Sequence, residues 1–239
     1  MLIIKYIAIL VGAILLLRII LALYQPYNLV KLIQYIFPSL VFYMPTKYKQ
    51  KFALTFDDGP NPPYTDEILN ILNLYDVKAT FFVVGEKIQS HPEYINKIVD
   101  NGHQIANHLY THNAAIFMSN AAFNSSLNKT EEIINQNGSP RYFRPTYGWI
   151  RPSTLELARR YDYQAVLGSA YVSDPYPTPK WLMLVSLKKM LRPGIIMVLH
   201  DGGGNREKTV NVLSNLLKYA RTKNMVSVTL HNLSIVKDN

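Results

Sequence analysis

The chain has 239 residues, 49% of them hydrophobic and 17% charged, which suits one globular domain with a sizeable core. Cysteine is absent, and this excludes a disulfide framework, a thiolate nucleophile and any thiolate metal ligand. The net charge of +9 is lopsided: Lys5, Arg18, Lys31, Lys47, Lys49 and Lys51 precede Asp57 with no acidic residue among them, a pattern that fits a membrane surface better than nucleic acid.

Residues 2–24 read LIIKYIAILVGAILLLRIILALY, close to the ~20 apolar residues that a helix needs to cross a bilayer. Lys5 and Arg18 interrupt the run, so a secretory signal peptide competes with an uncleaved transmembrane anchor. No small-x-small cleavage site follows, and Arg18 can snorkel to the interface, which favours the anchor. Residues 25–49 form a second, amphipathic stretch broken by Pro38 and too short to span, expected to lie juxtamembrane or against the domain. Such an anchor would leave the catalytic part, residues 50–239, membrane-attached and extracytoplasmic. Nothing in the sequence specifies the oligomeric state.

From residue 50 onward, short β-rich runs alternate with helical stretches, the order of a parallel sheet wrapped by helices. Seven strands are expected, at residues 52–56, 79–84, 104–107, 142–144, 164–168, 195–199 and 226–230. Between them, Phe123, Leu127, Thr130 and Ile134, and again Val210, Leu213, Leu217 and Ala220, repeat at helical spacing and mark core-facing stripes. Seven βα units suit a closed barrel or an open doubly wound sheet, and in both the reactive groups gather where strands end.

Four motifs sit at such ends. The first is TFDDGP, with Asp57 and Asp58 adjacent at the end of the first strand. Two carboxylates facing one pocket repel unless a cation lies between them, in which case one binds the metal and the other serves as a base; Asp-Gly-Pro is also ordinary turn chemistry. The second is HLYTH, whose His108 and His112 converge on one ion if the segment is helical or tightly turned. The third is RPTYGW: Arg144 beside an aspartate would orient it, and the backbone near Tyr147 would donate to an oxyanion. The fourth is VLHDGGG, where His200 is placed to protonate a leaving amine and Asp174 is the carboxylate that would tune it. Asp201 reads as a turn or helix cap, and His91, His103 and His231 read as structural or exposed.

With these motifs in this order, and with ATFFVVGE between the first two, the chain over residues 50–233 resembles the polysaccharide deacetylase family, carbohydrate esterase family 4, whose members carry the NodB homology domain. The resemblance implies a distorted (β/α)7 barrel and a divalent metal, zinc or cobalt, held by Asp58, His108 and His112. It implies that Asp57 takes the proton from an attacking water, that Arg144 orients Asp57, and that His200 with Asp174 acts as general acid. Pro145, Tyr147 and Trp149 would line the substrate and oxyanion side. The expected reaction is hydrolysis of the acetamide of an N-acetylated sugar in a peptidoglycan- or chitin-like glycan, with release of acetate.

Three departures point to a divergent branch. Leu109 stands where Ser or Thr is usual, Thr146 where a second Pro is common, and Pro175 follows Asp174 where Trp is typical, so that Trp149 or Tyr171 would have to wall the site beside His200. They keep open a non-catalytic carbohydrate-binding homologue, while a membrane-proximal site keeps open a lipid-linked sugar, and an O-acetyl ester stands as a further alternative substrate.

Overall fold

The computed structural model describes residues 27–46, 50–135, 141–172, 174 and 178–234, together with Tyr6 and Gly12. Helix α1 (Tyr27–Ile36) and strand β1 (Leu40–Val41) come first. They are followed by β2 (Lys51–Gly59), α2 (Tyr64–Leu74), β3 (Ala79–Val83), α3 (Gly85–Ser90), α4 (Glu93–Val99), β4 (Gln104–Asn107) and α5 (Asn120–Ile134). The remainder is β5 (Arg141–Phe143), α6 (Pro152–Arg160), β6 (Tyr163–Val166), β7 (Ala170–Tyr171), α7 (Lys180–Met190), β8 (Ile196–His200), α8 (Glu207–Thr222), β9 (Val226–Val228) and α9 (Leu230–Ser234).

The strands form one parallel sheet in the order β1-β6-β5-β4-β3-β2-β8-β7, with β9 paired to the first residues of β2. Strand β2 is central, and from Phe52 to Gly59 every residue is buried, which explains its nearly unbroken apolar sequence. The sheet curls: Val41, Ala53, Phe82, Ala106, Tyr142, Val166 and Ile196, one from each of seven strands, meet in a single cluster. Leu230 and Leu233 of α9 join it. A second, larger layer of buried residues lies between sheet and helices. The predicted α8 stripe lies there, with Leu213, Leu217 and Ala220 buried and Val210 partly buried against them, whereas the α5 stripe is shared: Ile134 joins this layer, and Phe123 and Leu127 are buried in a third cluster with Ala115 and Phe143. Ser119 caps α5 by accepting from the Ala122 amide at 3.2 Å. This curled parallel α/β half-barrel fits the expected seven-unit barrel.

The seven predicted strands are all present, β4 with the expected bounds and the others with shifted ends, and two more, β1 and β7, are two residues long and too short to show periodicity. Leu40 and Val41 pair with β6, while Tyr43 bridges antiparallel to Ile195 and the Met44 amide donates to the Gly194 carbonyl at 2.9 Å. The chain ahead of residue 50 thus supplies both a strand and core residues. The apolar segment at residues 2–24, expected to span a membrane, lies outside the described residues except for Tyr6 and Gly12. Among the described residues no helix is long and apolar enough to cross a membrane.

Candidate active site and metal centre

Adjacent residues of a regular strand point to opposite faces, yet Asp57 and Asp58 both serve one site. A bulge makes this possible: Asp57 stays in register with Phe82, the next paired residue is Gly59 with Val83, and Asp58 between them adopts φ 72°. The turn beyond must be bare. A Cβ on Gly59 would lie 2.0 Å from Oδ2 of Asp201, and one on Gly202 would lie 1.8 Å from the Asp58 carbonyl oxygen.

Asp58 Oδ1 faces Nε2 of His112 at 2.9 Å and Nε2 of His108 at 3.2 Å. Burial alone would raise the Asp58 carboxyl, but the two imidazoles hold it well below the usual carboxylate range. The segment between the histidines is a tight turn rather than a helix, with Leu109 at φ 64° and the Leu109 amide donating to Asn107 Oδ1 at 2.8 Å. His108 carries the evidence for a cation. Its Nδ1 lies 2.8 Å from the Arg144 carbonyl, which calls for a proton on Nδ1 and turns Nε2 to the Asp58 carboxylate, where either a proton or a bound cation joins the two. Such an arrangement is satisfied by a metal between them, and the carbonyl then fixes the ring. One ligand atom from each of Asp58, His108 and His112 lies within 4.8 Å of the others, so the three fit a divalent ion.

Arg144, at the end of β5, reaches across the sheet interior to donate from Nη1 to Asp57 Oδ1 at 2.6 Å and to Thr55 Oγ1 at 2.8 Å, and from Nε to the Val166 carbonyl at 2.9 Å. Its guanidinium also lies over the Phe82 ring, 4.1 Å from the centroid. Both partners are almost fully buried, so this is a desolvated charge pair.

His200 is the register neighbour of Asp57 across β2 and β8. Its Nδ1 lies 2.8 Å from Asp174 Oδ1, and Asp174 Oδ2 accepts from the His200 amide at 2.8 Å and from Thr209 Oγ1 at 3.0 Å. Burial opposes charge on the ring, but the bond and charge of Asp174, assisted by Asp57 and Asp58, push His200 up to about 9. Asp201 is not a cap. It is buried, accepts from Thr65 Oγ1 at 2.7 Å, and burial pushes its carboxyl up to about 7. His103 is structural as expected: its Nδ1 accepts from the Ala79 amide, and burial lowers it to about 4.

Tyr147 has φ 59° inside the short turn Thr146–Gly148, and its ring lies 4.7 Å from that of His112. Pro145 leads into this turn in an extended conformation, and its carbonyl accepts from the Gly148 amide. Trp149 follows with 65% of its surface exposed, and Tyr171 on β7 is 51% exposed.

Two of the departures have structural partners. Leu109 is fully buried in a cluster with Ala115, Phe123, Leu127 and Phe143, while the neighbouring Tyr110 amide donates to Ser126 Oγ at 2.8 Å. Thr146, also fully buried, accepts from the Ala115 amide at 3.0 Å and donates to the Asn113 carbonyl. Pro175 lies outside the described residues.

Sequence reasoning had no signal for several supports. Lys87 donates to the Asp58 carbonyl at 2.6 Å, and Arg206 donates to the Gly202 and Gly203 carbonyls, holding that turn against Asp58. Both lie on or beside helices far along the chain, and only the folded chain brings them to the site.

A model of the polysaccharide deacetylase family matches residues 45–166. A peptidoglycan-N-acetylglucosamine deacetylase of Bacillus cereus is 32% identical over 185 residues, which cover 76% of this chain and 86% of that protein. The crystal structure of the Bc1960 peptidoglycan N-acetylglucosamine deacetylase, in complex with 4-naphthalen-1-yl-N-oxidanyl-benzamide, superposes with a TM-score of 0.79 at 29% identity, covering 85% of this chain and 97% of that one. A family 4 acetyl xylan esterase from Clostridium thermocellum, in complex with a cobalt ion, gives 0.71 at 29% identity over 78% of this chain and 91% of its own. With the matching family model, a well-covered relative and the curled parallel fold in agreement, the chain belongs to the polysaccharide deacetylase family.

Proposed function

We propose that this protein hydrolyses the acetamide of N-acetylated sugars in a peptidoglycan- or chitin-like glycan, using a divalent metal, most simply zinc, held by Asp58, His108 and His112. The observation that carries this reading is the juxtaposition of three groups at one end of the sheet: the metal-ligand trio, the Asp57–Arg144 pair at 2.6 Å and the His200–Asp174 pair at 2.8 Å. Bound by these three residues, a divalent metal would supply a Lewis acid for the acetyl carbonyl and for the attacking water. Asp57, oriented by Arg144, accepts a proton from that water. His200, charged through Asp174, gives a proton to the departing nitrogen, so that acetate and a free amine leave. The backbone amide of Tyr147 donates to the carbonyl oxygen as charge builds on it.

Pro145, which sets the entry of the Tyr147 turn, and Trp149 at its exit complete the substrate side. The assay is acetate release from N-acetylglucosamine oligomers and from peptidoglycan by protein supplied with zinc or cobalt. Release that is absent from every N-acetylated glycan, with Asp57→Asn indistinguishable from wild type, would refute the proposal. An O-acetyl ester is the second reading, favoured by the acetyl xylan esterase among the structural neighbours; side-by-side rates on acetylated xylan and on N-acetyl oligomers separate the two.

Residues 2–24 are proposed to anchor the domain in a membrane with the site outside the cytoplasm. The support is their apolar sequence and the exposed Leu29, Leu32, Ile36 and Phe37 on and just after α1. Recovery of the full-length protein in the soluble fraction after gentle lysis would overturn this.

A further inference from the structure

The two candidate histidine ligands are held in different ways. His108 is buried, and its Nδ1 lies 2.8 Å from the Arg144 carbonyl, a bond that fixes the ring. His112 has no such bond. Its Nε2 faces Asp58 at 2.9 Å, its side chain is 31% exposed, and among the described residues nothing hydrogen-bonds its Nδ1. A metal-binding histidine almost always passes its other N–H to an acceptor, and loss of such a partner costs about 10–100-fold in metal affinity or activity. Another device must therefore orient His112.

The backbone on either side of it supplies one. Ahead of His112 the loop is tied at Tyr110, whose amide donates to Ser126 Oγ at 2.8 Å and whose carbonyl accepts from the Glu86 amide at 2.8 Å. Behind it, among the described residues, the next ties to another segment are the Asn113 carbonyl and the Ala115 amide. Both go to a single side-chain atom, Oγ1 of Thr146, which donates to the first and accepts from the second at 3.0 Å. Thr146 is fully buried, so no water competes for these bonds. The next residue, Tyr147, is held at φ 59° and lays its ring 4.7 Å from that of His112. Residues 144–147 thus reach both histidines: the Arg144 carbonyl touches His108, the Thr146 hydroxyl holds the backbone after His112, and the Tyr147 ring meets the imidazole.

Proline, common in the family at position 146, has no hydroxyl and could make neither bond. Leu109 leaves the same loop without a hydroxyl where the family usually carries one, and sits instead in the apolar cluster with Phe123 and Leu127. The two departures therefore meet in one loop, which lacks a hydroxyl at its first end and receives one from Thr146 at the other.

We propose that Thr146 is a positioning residue for the metal site: by holding both backbone groups that follow His112, it keeps that ring against Tyr147 and aimed at the ion. This rests on the metal-dependent reading above.

The test is cobalt binding by full-length protein, measured in competition with a chelator. Thr146→Val should still take up one ion, but about tenfold more weakly, whereas Thr146→Ser, which keeps the hydroxyl, should bind as wild type does. Thr80→Val is the control. It makes the same exchange at a fully buried hydroxyl that accepts from the Leu230 amide at 3.0 Å and donates to Gln104 Oε1 at 3.0 Å, but at the start of β3, away from the site, and it should leave cobalt affinity unchanged. Tyr147 is 62% exposed, so Tyr147→Leu removes the ring contact with little risk to the fold and should also weaken cobalt. A second readout needs no metal: in proton NMR of the metal-free protein, the ring-current displacement of the His112 ring protons by Tyr147 should shrink in Thr146→Val and return in Thr146→Ser. If wild type takes up no cobalt while this displacement follows the hydroxyl, the metal reading fails and the positioning stands. Wild-type affinity in Thr146→Val or Tyr147→Leu, an equal loss in Thr80→Val, or a displacement indifferent to residue 146 overturns the positioning.

Discussion

Replacing Arg144 with methionine keeps an unbranched side chain able to lie on Phe82 but removes three hydrogen bonds and one charge. The consequence is set by what remains: Asp57, nearly as buried as Arg144, loses the partner 2.6 Å away and becomes an uncompensated internal charge. Breaking a buried pair in this way costs about 3–5 kcal/mol. With a urea slope of about 2 kcal/mol/M, the unfolding midpoint of metal-free protein should fall by roughly 1.5–2.5 M. Asp57→Asn should cost less, because it removes the charge and keeps an acceptor for Arg144. In the Asp57→Asn background, Arg144→Met should then be milder by up to ~3 kcal/mol, the coupling expected of residues in direct contact. The measurement is urea unfolding followed by circular dichroism on the four proteins of this cycle. A fall below ~0.5 M for Arg144→Met, or costs that simply add, would refute the claim that Arg144 exists to compensate Asp57.

Three further expectations follow from the site. Asp58→Asn should lose bound metal and acetate release together, whereas Asp57→Asn should keep stoichiometric metal by elemental analysis and lose activity by about 10²–10⁴. His200 must hold a proton in order to give it away, so activity should fall as pH rises through its raised pKa of about 9. In Asp174→Asn the alkaline limb of the kcat/KM profile should move down toward the ordinary histidine range. The same shift stabilises the fold fully below pH 6.5 and not above about 9, and Asp174→Asn should flatten that part of the stability profile. Thr146→Val leaves the Ala115 amide without its acceptor and the Asn113 carbonyl without its donor, so thermal unfolding should report a loss of about 1–3 kcal/mol while metal binding persists.

Much of the fold was legible because its signals are local. Strand β2 announces itself by an apolar run ending in Asp-Asp-Gly-Pro, and α5 and α8 by stripes whose period survives any packing. Strands β1 and β7 left no such trace: two residues carry no period, and they are strands only because β6 and β8 stand beside them. The site divides in the same way. Asp57, Asp58, His108, His112, Arg144 and His200 stand out as reactive side chains at strand ends, and the folded chain brings them together.

By itself the sequence determined the order of elements, the candidate ligands and the absence of thiol chemistry, since each depends on residue type and near-neighbour spacing. Only the tertiary structure decided how the two aspartates divide their partners. A one-residue bulge with φ 72° at Asp58 turns it to the histidines and leaves Asp57 to Arg144 from a strand 87 residues further on. It likewise decided that Asp201 is buried beneath Gly59 rather than capping a turn, and that the departures Leu109 and Thr146 are built into the packing and hydrogen bonding of their loops. These outcomes depend on which backbone groups and apolar surfaces meet after the sheet curls, and contacts of that kind have no period in the chain.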